Sequence, residues 1–561
     1  MRVRQVFGSI ALSVMLVSGG IVGWPPASQA TSTTPTVAVT ASILPTVGLS
    51  PAPTGPLTTS SISCPTSGWC AAIGQYPSTA GANLFVGTLQ GSTWSVQTLS
   101  LANLVPPVST FGLGMFGTQY PFIHLSCPTE TYCEAVGEYG GAQGPLSIFS
   151  VTLSNGHWTV QNEAALSASG IATIVTGLSC PAVGSCVGSG IIFIGNLSYS
   201  NYVANLSDGT WTAVPLGSVV TPPQGVVNEV TLIGALLTSE SMSCVTITSC
   251  EMVGLDASGG FSASQGPDGQ WSSSSLPRIG PPTDMVIPLG ISCPAVGDCV
   301  TVGAELGTNT SGYIGTLTSA TWSASTLSVD GSADAAVIAI SVSCAAVGHC
   351  VLSGEVSINN SSNGAFIAQL ANGSWTNEKV PTTNLTPTPD QLWPVSLSCS
   401  SLQRCVAVGT AIGGGSALPL YSFAVVVLSP PLAPKHVSAK PSNGAAQVSW
   451  TASSEATRYV ATASPGGKYC TTTTTSCVIS GLNNGTRYVV SVSASNSAGN
   501  SLASSSTSVT PMAPTTTTVP TVSIALANTG TNSSALIVVA LALLGLGAGL
   551  FAVARQRRSR S

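Results

Sequence analysis

The stretch Ser61–Gly74, S-I-S-C-P-T-S-G-W-C-A-A-I-G, decides the fold because it comes back six more times. The first three returns are H-L-S-C…C-E-A-V-G at His124–Gly137, G-L-S-C…C-V-G-S-G at Gly177–Gly190 and S-M-S-C…C-E-M-V-G at Ser241–Gly254. The last three are G-I-S-C…C-V-T-V-G at Gly290–Gly303, S-V-S-C…C-V-L-S-G at Ser341–Gly354 and S-L-S-C…C-V-A-V-G at Ser396–Gly409. Every copy has a Ser before the first Cys, five residues between the cysteines and a Gly four after the second. Successive copies lie 49 to 64 residues apart, and self-similarity at such a period marks a repeat architecture.

Each copy reads as a β-hairpin. Alternating apolar and small polar residues run into the first Cys, a turn-prone loop follows (P-T-S-G-W, P-A-V-G-S, P-A-V-G-D), and a second strand leaves through the second Cys. Cysteines flanking so short a loop fall on facing strands, where a Cα separation of about 4.5–5.5 Å suits a disulfide. The expected pairs are Cys64–Cys70, Cys127–Cys133, Cys180–Cys186, Cys244–Cys250, Cys293–Cys299, Cys344–Cys350 and Cys399–Cys405. Each contributes on the order of 2 kcal/mol in the chain-entropy model. Zinc is the competing use of paired cysteines, but structural zinc takes four ligands in closer-spaced pairs, and the chain has 4 His. Neither a metal nor a cofactor is expected.

Six of the hairpins are followed by a turn, a Trp and an alternating strand. The six segments end at Trp94 (L-Q-G-S-T-W), Trp158 (L-S-N-G-H-W), Trp211 (L-S-D-G-T-W), Trp271 (P-D-G-Q-W), Trp322 (L-T-S-A-T-W) and Trp375 (L-A-N-G-S-W). Asn-Gly and Asp-Gly before an aromatic strand are hairpin-turn signals. Each period therefore supplies about four short strands, and seven such periods describe a seven-bladed β-propeller with intra-blade disulfides. The Trp residues are read as packing between blades, with carbohydrate stacking as the functional alternative. The seventh copy lacks its Trp strand and runs past Leu428 into S-P-P-L-A-P. The segment Thr36–Leu49, with V-A-V-T-A-S-I-L, is a candidate to supply the missing strand, although its composition also suits a linker.

Composition places the protein outside the cell. Lys and Arg number 14 and Asp and Glu 19, so 6% of residues are charged, against roughly 25% in typical domains. The 16 cysteines form close pairs with none left over, as an oxidising compartment allows. The repeat region carries 18 acidic residues and three basic ones, Arg278, Lys379 and Arg404. Such a surface repels nucleic acid, whose binding needs clustered cations. With so few titrating groups, stability is expected to depend weakly on pH.

In chain order, residues 1–30 read as a secretory signal peptide: Arg2 and Arg4, an apolar run Val6–Gly23, and S-Q-A at Ser28–Ala30. Residues 31–58 are Ser/Thr/Pro-rich linker, and the repeats fill 59–428. Residues 431–511 differ in kind. They carry A-P-K-H-V at Ala433–Val437, place Trp450 on a second strand, and contain G-L-N-N-G-T-R-Y ending at Tyr488 and N-S-A-G at Asn496–Gly499. This resembles a fibronectin type III domain, which implies a β-sandwich whose Tyr488 hydrogen-bonds back to the preceding loop. Cys470 and Cys477 make the eighth expected disulfide, not a hallmark of that family. Its use here is read as a spacer.

A Thr/Pro linker (512–525) leads to L-A-N-T-G at Leu526, Ala527, Asn528, Thr529 and Gly530, an apolar run at 535–554 and the basic tail R-Q-R-R-S-R-S. About twenty apolar residues suffice to span a bilayer, and the basic end stays cytoplasmic. The order of parts over 526–561 resembles a Gram-positive sorting signal, with Ala527 where the usual motif has Pro, as in the variant of high-GC actinobacteria. The resemblance implies a sortase as processing enzyme, cleavage between Thr529 and Gly530, and a transmembrane helix before processing.

Chemistry is thinly signalled. The Trp-bearing repeats resemble sialidase-like propellers in general form, but S-D-G-T-W at Ser207–Trp211 is compressed relative to that family's S-x-D-x-G-x-x-W turn. The family's three substrate-binding arginines also outnumber the two arginines of the repeats. A glycosidase needs two carboxylates about 5–9.5 Å apart. Glu130, Glu134 and Glu138 cluster at the second hairpin, and Glu251 repeats the position of Glu134. His124 replaces the Ser or Gly of other copies, while His157 and His349 sit in turns. No catalytic residue is assigned. The expectation is a surface-anchored binding or adhesion protein for a glycan, wall polymer or protein. An extracellular glycan hydrolase or lyase, and a purely structural surface component, are the alternatives.

Overall fold

The computed structural model describes residues 37–514 except 112–122, 141–145, 165, 167–172, 194–198, 217–240, 257–258, 308–309, 330–335, 359–361, 372 and 414–417. Every regular element among them is a β-strand, and no helix there is long and apolar enough to cross a membrane. The expectations for residues 1–30 and 526–561 lie outside the described residues.

The repeats fold into four-stranded antiparallel sheets, numbered here 1 to 7 after the motif copy each contains. In sheet 1, Thr58–Thr66 enters the first Cys, Trp69–Ser78 leaves the second, Gly81–Gln90 follows, and Thr93–Thr98 carries Trp94 on the outer edge. Two of the turns before the Trp strands use left-handed backbone at both residues of the pair: Asn155 and Gly156 at φ 50° and 78°, Asp208 and Gly209 at 50° and 73°. Sheet 2 has the short Thr110–Phe111 as an extra strand.

Sheet 7 departs from the pattern. Gln391–Ser401, Arg404–Gly413 and Leu418–Leu428 supply three strands, and the fourth is Ala38–Ile43, paired from Ala38↔Leu428 to Ile43↔Phe423. The linker reading of 31–58 is corrected for these residues, and Leu44, Leu49 and Leu57 beyond them are also buried. Without this strand the outer edge of Leu418–Leu428 would expose a row of unpaired backbone groups. Pro430 and Pro431 stop the chain from covering it locally.

Each sheet packs on the next, and each seam has its own apolar cluster. Val136 and Ile148 of sheet 2 meet Val175 and Tyr202 of sheet 3. Val406 and Ala424 of sheet 7 meet Ile62 and Phe85 of sheet 1, which closes the circle. The Gly of every motif faces an aromatic on the third strand: Gly74↔Phe85, Gly137↔Phe149, Gly190↔Tyr202, Gly254↔Phe261, Gly303↔Tyr313, Gly354↔Phe366 and Gly409↔Phe423. A Cβ at Gly354 would run into the Ile338 carbonyl and the Phe366 ring, and one at Gly409 into the Trp393 carbonyl and the Phe423 ring. Only glycine lets ring and first strand approach so closely. The Trp side chains pack beside these aromatics, against the preceding sheet.

The motif serine joins the sheets. The amide of Cys127 donates to Ser63 Oγ at 2.9 Å, Cys180 to Ser126 at 2.9 Å, Cys244 to Ser179 at 3.0 Å and Cys293 to Ser243 at 2.9 Å. Cys344 donates to Ser292, Cys399 to Ser343 and Cys64 to Ser398, each at 2.9 Å. The circle thus returns to the first copy. The innermost strands have a sheet neighbour on one side only, and these hydroxyls satisfy amides on the other. Where the residue two before this Ser is also Ser, it repeats the bond one step along, as Ser61 does for Leu125 and Ser396 for Ile62.

All eight expected disulfides form, with Cα separations of 3.9–4.1 Å in the repeats. These lie below the expected spacing because the cystine draws together pairs that already face each other directly, such as Cys344↔Cys350. The second domain is a β-sandwich. Lys435–Ser442, Ala445–Thr451 and Ser476–Ser480 form one sheet; Arg458–Ser464, Lys468–Thr472, Tyr488–Asn496, Gly499–Asn500 and Thr507–Val509 form the other. Trp450 and Tyr459 meet in its core with ring centroids 5.4 Å apart. Tyr488 Oη accepts the Asn483 amide at 3.0 Å, the expected corner. Cys470–Cys477 joins the two sheets.

Candidate functional site

The second strand of each repeat leaves its Cys with alternate residues facing the following sheet. In sheet 2 that face presents Glu134, Val136 and Glu138, in sheet 4 Glu251 and Val253, and in sheet 6 Val351, Ser353, Glu355 and Ser357. Three of the acidic candidates for chemistry, Glu134, Glu138 and Glu251, therefore point into seams. Glu134 and Glu138 are 2% and 0% exposed.

Around Glu138 the seam is built on one peptide. Its Oε1 accepts the Val175 amide of sheet 3, and its Oε2 has no partner among the described residues. Burial pushes this carboxyl up to about 8, against the pull of the Val175 amide. His124 is half-buried beside the same backbone. Burial drives its imidazole down to about 4, partly offset by a hydrogen bond to Val175. Glu134, at the other end of the strand, is also pushed up to about 8. Burial is the main cause; the Glu163 charge adds to it, while Thr152 and Tyr132 hydroxyls oppose it. Tyr132 Oη donates to Glu134 Oε2 at 3.3 Å, and Ser150 Oγ to Glu163 Oε1 at 2.6 Å.

Glu251 lies in a different seam, and the structure does not bring it to Glu134. Its carboxyl is raised by burial, with Ser264 and Ser262 hydroxyls opposing. Glu130 is exposed at the hairpin tip, bonded to Thr66 Oγ1. His157 and His349, expected in turns, are exposed at the first residues of the strands His157–Asn162 and His349–Ile358. Sequence reasoning overlooked two acids. Glu305, 2% exposed, accepts the Ile279 amide on both oxygens and the Gly280 amide at 3.0 Å, pinning the connection into its sheet. Glu355 sits one residue after its motif Gly, as Glu138 does, and burial alone pushes it up to about 7. Aligning the copies on their Gly would have shown this equivalence. The aromatic partners of the glycines were also readable, nine residues before the Trp in sheets 1, 2, 3, 5 and 6.

Burial holds the Glu134 and Glu138 carboxyls up to about 8 and Glu355 up to about 7, against the expectation of weak pH dependence: few groups titrate, but these three are shifted far. Among the described residues no set of three or more His, Cys, Asp or Glu is placed to hold a metal. The seam between sheets 2 and 3 also has a narrow apolar gap lined by Val136, Leu166, Val175, Tyr202 and Trp211. A carboxyl enclosed this way lacks access to a polymeric substrate.

Residues 432–510 match the fibronectin type III domain. No curated protein sequence matches the chain. Solved structures similar to it include the fucose-specific lectin from Aleuria aurantia (10% identity, 65% of this chain and 98% of that one, TM-score 0.32). Others are a mutant of AofleA from Arthrobotrys oligospora (12%, 61% and 90%, 0.36) and the Hadza microbial sialidase Hz136 (8%, 67% and 66%, 0.37).

Proposed function

We propose that this chain is an exported surface protein whose work is binding: a seven-bladed β-propeller, displayed on the fibronectin type III domain, that holds a glycan, wall polymer or protein through one of its rims. The observation that carries this reading over catalysis is the burial of Glu134, Glu138, Glu251 and Glu355 in the seams. General acids and nucleophiles must reach the bond they act on, and these do not reach solvent. In this reading residues 1–30 direct export, and Leu526–Gly530 with the apolar run 535–554 retains the protein in the bacterial wall or membrane. Eight disulfides with no free cysteine suit that setting.

The test incubates the purified protein with a panel of polysaccharides and wall fragments, scoring retention and released reducing ends together. Retention without product is expected. Release of sugar overturns the binding reading. Anchoring is checked separately: digested cell walls should yield a peptide ending at Thr529 in amide linkage, and an intact C-terminal tail in the membrane fraction would replace sorting by simple membrane retention.

A further inference from the structure

Sheet 7 hands over to the fibronectin type III domain through Ser429-Pro430-Pro431-Leu432-Ala433-Pro434. Neighbouring domains usually move against each other unless their contact is extensive. Here the first linker residue is held at every polar atom. Ser429 N–H donates to the Gln403 carbonyl of the sheet 7 hairpin at 2.9 Å, and its hydroxyl accepts Gln369 Nε2 of sheet 6 at 2.9 Å. Its carbonyl accepts Asn496 Nδ2 of the sandwich at 2.9 Å. Asn496 is itself fixed, since its Oδ1 accepts the Ala498 amide at 2.9 Å.

A second tie lies at another loop. Arg404, between Gln403 and Cys405, directs Nη1 to Glu455 Oε2 at 3.2 Å, with side chains 10% and 14% exposed. Its Nη2 donates to the Gly91 carbonyl in the outer turn of sheet 1. With these two contacts Arg404 joins sheet 7, sheet 1 and the sandwich. Glu455 holds its carboxylate there from a left-handed backbone, φ 59°, a conformation that glycine adopts freely and other residues resist.

We propose that the propeller and the fibronectin type III domain form one rigid strut, docked at the cystine-hairpin rim by Arg404–Glu455 and Ser429–Asn496. The domain then sets the propeller's orientation and leaves the opposite rim, with its second-to-third-strand turns, uncovered. This deepens the spacer role and rests on the display reading given above.

The test places both changes on the sandwich, so that the folding of the repeats is not at stake. E455G removes the carboxylate and relieves the left-handed strain; N496D removes the Nδ2 donor and keeps the Oδ1 acceptor. X-ray scattering of the purified protein reads the spread of interdomain distances, and limited proteolysis reads exposure of the linker at Leu432. The wild type should give one narrow distribution. The double variant should broaden it and be cleaved roughly tenfold faster in the linker, while E455G leaves the sandwich's melting temperature equal or higher. A wild type already broad, or a double variant indistinguishable from it, overturns the proposal. Neither readout involves a ligand, so failure to bind the polysaccharide panel sinks the display reading without touching this one.

Discussion

The seam between sheets 2 and 3 and the seam between sheets 6 and 7 bury the same acid at the same register and treat it differently. Glu138 and Glu355 each follow a motif Gly and face the next sheet. Opposite Glu138 stands Val175, paired with Gly190, whose amide is free to donate. The equivalent residue opposite Glu355 is Pro394, paired with Gly409, which has no amide hydrogen. Glu355 Oε2, Ser353 Oγ and Ser357 Oγ have no partner among the described residues. One seam thus gives its acid a backbone donor and the other does not, so identical substitutions should have opposite signs.

The largest effect is expected from V175P, which removes the donor to Glu138 and places a ring within a strand. A loss of about 3 kcal/mol or more should appear in thermal or denaturant unfolding. Next, E138M strands the Val175 amide and should cost about 1–3 kcal/mol, whereas E355M strands nothing and should be neutral or stabilising at pH 8. Equal losses from both would break the comparison.

The pH profile comes next. Glu134 and Glu138 keep their protons to about 8 and Glu355 to about 7 in the fold, while the unfolded chain releases them near its ordinary carboxyl value. Across that window the unfolded state binds fewer protons, so stability is full below the ordinary value and falls as pH rises. His124 runs the other way: its folded value of about 4 lies below the ordinary 6.5, so its contribution is lost as pH falls between them. Three acids outweigh one imidazole. The melting temperature should peak in mild acid and drop by roughly 5 °C or more towards pH 8, and E355M should flatten the upper part of the curve. A profile flat from pH 5 to 8 would remove the basis for the contrast.

The smallest effect sharpens it. P394V offers Glu355 the amide that Glu138 enjoys and should stabilise by at most about 1 kcal/mol. The same change should lower the Glu355 titration midpoint in carboxyl-labelled NMR.

Much of this architecture was legible in the motif. The cysteine spacing announced hairpins and disulfides, Asn155-Gly156 and Asp208-Gly209 announced the outer turns, and V-A-V-T-A-S-I-L held the strand that completes sheet 7. What stayed hidden depends on contacts between sheets. Nothing local to C-E-A-V-G-E says that Glu134 and Glu138 turn inward, because alternation fixes a shared face without saying what covers it. Val175 is 37 residues from Glu138, and its amide matters only once two sheets are stacked. The motif serine was seen in every copy and had no assigned task for the same reason: its partner belongs to the next copy.

That serine also bears on how such a chain comes to exist. Each copy offers a hydroxyl forwards and an amide backwards, so at this joint any copy can be the neighbour of any other. A gene segment for one copy could be duplicated or lost by recombination without rewriting its neighbours. The differences in length between copies are absorbed outside the motif. Natural selection can therefore vary the connections of one copy while its descendants inherit an unaltered joint.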